Sequence, residues 1–190
     1  MQNLPPIWLL RHGQTEWNAE QRVQGQMESC LTQLGIQQAR RQAELMKPIL
    51  SQRPLCFVSP LGRAQQTADI ALGGAPFETD ARLAEICAGD FQGRTNAEVA
   101  QGFPELFANN STTLDLYCAA PGGEGFDMFQ SRISDFLATL TGPTVVVAHA
   151  LLGQVMRGIV CSLGRTEMGK LSKDQGCIYL LKDGKEQVLR

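Results

Sequence analysis

Short runs of consecutive apolar residues alternate along the chain with stretches in which apolar residues recur every three or four positions. Ile7-Trp8-Leu9-Leu10, behind a double proline, reads as a strand buried on both faces. Leu55-Cys56-Phe57-Val58, between Pro54 and Ser59-Pro60, reads the same way, and Thr144 to Ala148, with three valines in a row, is the strongest strand. Ile36, Ala39, Ala43 and Met46 recur at helical spacing and predict a helix from Thr32, a good N-cap, to about Met46. A second helix is predicted from about Arg63 to Leu72, with Ala64, Ala68 and Ala71 on one face for close packing against a sheet. Thr95 and Glu98 form a capping-box pair for a short helix. Phe126, Phe129, Ile133, Phe136, Leu137 and Leu140 form an amphipathic stripe that belongs to the core. Leu152 to Leu163 reads as a helix closed by Gly164, and Cys177–Leu181 with Glu186–Leu189 as a terminal hairpin around Asp183-Gly184. Gly102, Pro104, Asn109, Asn110 and Pro121-Gly122-Gly123 make the middle irregular. With no repeat or linker, the pattern predicts a single α/β domain over residues 1–190. It would be three-layered, with a mostly parallel central sheet flanked by helices.

Composition narrows the function classes. A chain of 190 residues buries roughly 70% of its unfolded surface, enough to fold without disulfides or metal. The net charge of −2 carries no basic excess, so no nucleic-acid partner is expected. The N-terminus lacks a basic n-region and the Ile7–Leu10 run ends at Arg11, so neither a signal peptide nor a membrane partner is expected. Six cysteines without a CxxC pair, three of them (Cys56, Cys161 and Cys177) in apolar stretches, fit a reduced, cytoplasmic protein. A homodimer is left open, because no heptad or surface patch declares an interface.

The two histidines carry the first chemical signal. His12 follows the first strand and His149 follows the valine strand, which places both at the carboxyl edge of the sheet, where open α/β sheets bind ligands. Arg11 precedes His12, and Arg63 opens the helix after the second strand. Four potential cations converging at one edge, with no carboxylate beside them in sequence, call for an anion. The planar fork of arginine suits phosphate oxygens.

These residues lie in recognisable blocks. Arg11-His12-Gly13-Gln14-Thr15-Glu16-Trp17-Asn18 resembles the signature of the histidine phosphatase superfamily, the phosphoglycerate mutase-like family. Leu31, Thr32, Gly35, Gln38 and Ala39 are similar to its LTxxGxxQA segment, and Ser59 to Ala68 to its SxxxRAxxTA segment. Leu83, Glu85, Gly89, Phe91 and Gly93 are similar to LxExxxGxWxG, with phenylalanine where tryptophan is common. Pro121-Gly122-Gly123-Glu124 is similar to a PGGES loop, and Val147-Ala148-His149 to the strand carrying the second histidine. The departures are Glu28-Ser29-Cys30 in place of Asp-Ser-Pro, Gly125 in place of the PGGES serine, and Ala150 in place of glycine after the second histidine. The methyl of Ala150 is expected to shift the pocket rather than abolish activity.

The resemblance implies a metal-independent phosphatase acting on a small phosphomonoester. His12 would be the nucleophile that becomes a phosphohistidine. Arg11, Arg63 and His149 would clamp the phosphoryl group, Asn18 would add a donor, and Ala150 would line the site. Glu85 would serve as general acid and then general base. Glu16, Trp17 and Glu124 could shape the entrance or serve packing and turns. With both histidines used and no cysteine or carboxylate cluster at ligand spacing, no metal and no cofactor is expected. The short stretch between Glu85 and His149 favours hydrolysis, since a small cap admits water. A cofactor-dependent phosphoglycerate mutase and a non-catalytic phospho-ligand binding module on the same fold are the alternatives. Phe103, Phe107 and Tyr117 are candidates for an apolar wall or for packing.

Overall fold

A computed structural model describes residues 4–190, so the first three residues of the N-terminal segment read above lie outside the description. Six strands form one sheet: β1 (Ile7–Arg11), β2 (Leu55–Val58), β3 (Glu78–Thr79), β4 (Thr144–Ala148), β5 (Ile178–Lys182) and β6 (Lys185–Leu189). Their spatial order is β3-β2-β4-β1-β5-β6. The first four strands in that order run parallel, and the β5–β6 hairpin is added antiparallel beside β1. The helices are α1 (Glu16–Ala19), α2 (Gln33–Leu50), α3 (Gly62–Ala71), α4 (Asn96–Gly102), α5 (Pro104–Asn109), α6 (Thr113–Cys118), α7 (Gly125–Ala138), α8 (Ala150–Val160) and α9 (Arg165–Lys170).

Alternation along the strands makes the three layers. On β4, Val145 and Val147 face a core with Met46 and Ile49 of α2 and Ala64, Ala68 and Ala71 of α3. Val146 and Ala148 face the opposite core, with Phe129, Ile133 and Phe136 of α7 and Leu152 and Val155 of α8. The phenylalanine stripe is therefore core, as its spacing predicts. A smaller cluster of Val23, Ala88, Phe91, Val99, Leu116 and Ala120 builds a cap above the carboxyl edge, and Phe103 packs on Phe91 with ring centroids 5.0 Å apart.

Two boundaries differ from the sequence reading. Helix α2 passes Met46 and ends at Leu50, with Pro48 inside it, because Met46 and Ile49 are both needed by the core. Helix α8 ends at Val160, and Ser162, not Gly164, takes the left-handed backbone after it (φ 55°). Gly164, with φ −73°, instead begins α9 as its N-cap. The terminal hairpin is as predicted: Asp183 (φ 52°) and Gly184 (φ 70°) supply the two positive φ angles of a type I′ turn. Among the described residues no helix is long and apolar enough to cross a membrane.

Candidate active site at the carboxyl edge of the sheet

The register of the parallel strands delivers the site. Arg11 pairs with Ala148 and Val58 with Val147, so the residues that follow, His12, His149 and Ser59, emerge side by side. The His12 amide donates to the Ala148 carbonyl at 3.0 Å and the Ser59 amide to Val147 at 3.0 Å. The two imidazole centroids are 5.2 Å apart. Helix α2 fixes the loop after β1. The Gln14 amide donates to Gln38 Oε1 (2.8 Å) and Gln42 Nε2 donates to the Arg11 carbonyl (3.0 Å). Gly13 and Gly35 let the two backbones touch, for a Cβ on Gly35 would lie 2.1 Å from the Gln14 carbonyl oxygen. Thr67 Oγ1 accepts from the Gly13 amide at 3.1 Å and donates to the Arg63 carbonyl at 2.7 Å, tying α3 to the same loop.

Hydrogen bonding assigns the proton on the His12 ring. A carbonyl can only accept, so His12 Nδ1 donates to Gly13 O at 2.7 Å and Nε2 keeps its lone pair, which accepts from Arg63 Nε at 3.3 Å. Burial, then the charges of Arg63 and Arg11, hold the His12 pKa well below the usual imidazole value. His149 is depressed in the same direction by burial, Arg63, His12 and Arg11. Its Nε2 meets Ser59 Oγ at 2.6 Å, and that hydroxyl already accepts from the Leu61 amide at 3.3 Å. The ring's other nitrogen, Nδ1, is a buried atom with no protein partner among the described residues.

Arg11, His12, Asn18, Arg63, Glu85 and Ala150 line one cleft of about 130 Å³, and His149 backs it through its contact with His12. Arg63 donates to the carbonyls of Met27 (2.9 Å) and Gly25 (2.7 Å), so it also holds the loop at the mouth. Arg11 donates to the Lys173 carbonyl and leaves a buried Nε unpartnered. Asn18 Oδ1 accepts from the amide of Thr15 and from Gln175 Nε2. Glu85 brings a carboxylate to the same cleft as these cations. Its buried carboxyl accepts from the Ile86, Leu151 and Leu152 amides, each at 3.0 Å, and so caps the start of α8.

Glu124 lies behind the cleft rather than in it. It pairs with Arg132 at 2.8 Å, and Arg132 donates to the backbone carbonyl of Glu85 at 3.1 Å, bracing the Glu85 segment. Gly125 has φ 73°, a conformation that glycine adopts without strain. Glu28 holds the start of α3 through the Gly62 amide at 2.9 Å. Glu16 is exposed, and Trp17 packs under Arg22 at the rim. Phe107 is exposed, whereas Tyr117 lines the cleft. Gln24, Arg22, Thr113 and Lys173 line it too, and sequence reasoning missed all four. For Lys173 the only signal was a polar Ser172-Lys173-Asp174-Gln175 stretch ahead of a strand that pairs with β1. All six cysteines are free, and among the described residues no group of three or more His, Cys, Asp or Glu could hold a metal ion.

A family profile described as the histidine phosphatase superfamily (branch 1) matches residues 7–188. The chain belongs to that superfamily. Among its relatives, this histidine phosphatase chain is 46% identical over 120 residues to a glucosyl-3-phosphoglycerate phosphatase of Mycolicibacterium vanbaalenii, covering 61% of this chain and 51% of that one. It is 30% identical over 179 residues to the adenosylcobalamin/alpha-ribazole phosphatase of Escherichia coli K12, covering 90% and 86%. The match to a probable phosphoglycerate mutase of Enterobacter is 43% identical and covers 70% and 61%. The chain thus spans between about half and two thirds of several curated relatives. Among solved structures, Bacillus stearothermophilus YhfR superposes with a TM-score of 0.83 at 27% identity over 97% of this chain and 95% of that one.

Proposed function

We propose that the protein is a metal-independent phosphatase that hydrolyses a small phosphomonoester through a phosphohistidine on His12. The observation that carries this reading is the neutral His12 ring, its Nδ1 proton committed to Gly13 and its Nε2 lone pair beside the Arg63 guanidinium. In the first step Nε2 forms the N–P bond while the P–O bond to the leaving alcohol breaks, and Glu85 donates a proton to the leaving oxygen. In the second, water attacks phosphorus, Glu85 takes its proton, and the P–N pair returns to Nε2 with release of phosphate. Arg11, Arg63 and His149 hold the phosphoryl oxygens, and Asn18 adds a donor beside Ala150, the first residue of α8. Two arginines and two histidines supply this stabilisation without calling on a metal ion. Cysteine usage favours a reducing, cytoplasmic setting.

The test is phosphate release from an aryl phosphate and a panel of metabolite monoesters in excess chelator. Turnover is expected in the native protein. His12→Ala is expected to lose on the order of 10⁴-fold or more, and Glu85→Gln roughly 10²- to 10⁴-fold. Net transfer of the phosphoryl group back to a bound acceptor, rather than phosphate release, would replace this reading with a mutase. Phosphate binding without either reaction would leave a binding module.

A further inference from the structure

Gln175 does not line the cleft and takes no step in the reaction proposed above. It lies in the segment between α9 and β5, whose backbone is held at three successive residues. Arg157 of α8 donates to the Ser172 carbonyl at 2.6 Å, Arg11 donates to the Lys173 carbonyl, and the Asp174 amide donates to the Tyr179 hydroxyl at 2.8 Å. Gly176 then turns the chain with φ 74°, so close to α2 that a Cβ there would lie 3.3 Å from the Gln38 side chain. Gln175 is thereby pinned against the loop after β1. Its Nε2 donates to the His12 carbonyl at 3.1 Å and to Asn18 Oδ1 at 3.3 Å.

Backbone groups decide which way both amides point. The His12 carbonyl can only accept, so the end of Gln175 beside it is the NH2 group, with one hydrogen for that carbonyl and one for Asn18. The Thr15 amide can only donate, and it meets the same Asn18 oxygen at 3.2 Å. With Oδ1 claimed by two donors, the Nδ2 group is the end of Asn18 left to the cleft that this residue lines. The Thr15 bond belongs to the capping box of α1 and is local. The Gln175 bond comes from the far end of the chain, and the two together fix the plane of the Asn18 amide.

We propose that Gln175 is a positioning residue, which by donating to Asn18 Oδ1 turns the Asn18 Nδ2 donor onto the phosphoryl oxygens. The inference rests on the phosphatase reading only for the place of Asn18 beside the phosphoryl group. A double-mutant cycle read by calorimetric binding of inorganic phosphate tests it without needing turnover. Gln175→Met, which keeps the length and removes the donor, is expected to weaken phosphate binding about five- to tenfold, and Asn18→Ala about tenfold or more. Adding Gln175→Met to Asn18→Ala is expected to change binding less than about twofold, because no amide is left to orient. An equal loss in both backgrounds, which a packing role would produce, overturns the proposal, and so does native-strength binding in Gln175→Met. Gln175→Asn, which draws the same amide back by one methylene, is expected to fall between the native protein and Gln175→Met, and it carries the cycle if the methionine variant does not fold. If the native protein shows this coupling but hydrolyses no ester, the phosphatase reading fails and the positioning role stands. If it hydrolyses esters and the coupling is absent, the positioning role fails and the phosphatase reading stands. Native protein that binds no phosphate overturns both.

Discussion

Burial and two neighbouring guanidinium groups keep the His12 and His149 imidazoles uncharged, and this has a cost in acid. Both rings titrate well below the ordinary imidazole value of about 6.5. As pH falls through 6.5 the unfolded chain binds these protons and the folded chain does not, so stability drops. The slope reaches about 1.4 kcal/mol per pH unit for each histidine until the folded pKa is met. Urea melts at pH 7.5 and 5.5 should show the loss, and His149→Gln should reduce it. The same depression keeps the His12 lone pair free below pH 6.5, so on the proposed phosphatase reading the acid limb of kcat/KM should also lie below that value. Ser59 acts one bond further out. Ser59→Ala removes the hydroxyl hydrogen-bonded to His149 Nε2, and kcat should fall roughly tenfold or more as the ring loses its fixed tautomer and orientation. The nitrogen chemical shifts of the His149 ring should report that change directly, which loss of packing alone would not produce.

At the scale of elements, α2 works as a jig for the loop after β1. Gly35 touches the Gln14 backbone, and neither side is a flexible side chain, so Gly35→Ala must push the loop or the helix away. A destabilisation of about 2–3 kcal/mol is expected in denaturant melts. Gly62→Ala meets only the Glu28 carboxylate at 3.1 Å and should stay within about 0.5 kcal/mol. Five of the six strands and the main helices were legible in the sequence through continuous apolar runs and 3.6-residue spacing, whereas β3, two exposed polar residues at the sheet edge, carries no such signal. The RHG block, Arg63 and the second histidine were legible for a related reason: each sits within two or three residues of an element end that the pattern marks. Lys173, Thr113 and Gln24 have no such anchor. They reach the cleft through the cap and through a hairpin whose place beside β1 depends on strand order, which no local pattern encodes. Glu124 was left between a site role and a turn-stabilising one for the same reason, since its partner Arg132 lies further along, on α7. Gly164 was read as a stop because glycine often closes helices, yet Ser162 takes that conformation and Gly164 opens the next helix.

For the whole molecule, the hairpin is tied to the helical layer by one charged contact. Arg157 of α8, almost fully buried, pairs with both oxygens of Glu186 on β6 (2.6 and 2.8 Å) and stacks 3.9 Å over the Tyr179 ring. Glu186→Ala strands a buried guanidinium and should cost about 2–4 kcal/mol, with smaller loss for Glu186→Gln. The parallel pairing of β1 with β4 has a different kind of consequence. Its partners, Arg11 and Ala148, come from near the start and near the three-quarter point of the chain. A slip of one residue would turn every side chain of one strand to the opposite face. A compact but misregistered molecule would thus keep its secondary structure and lack a cleft. Regain of turnover after dilution from denaturant therefore reports correct register between two distant parts of the chain, which recovery of the circular dichroism signal alone does not.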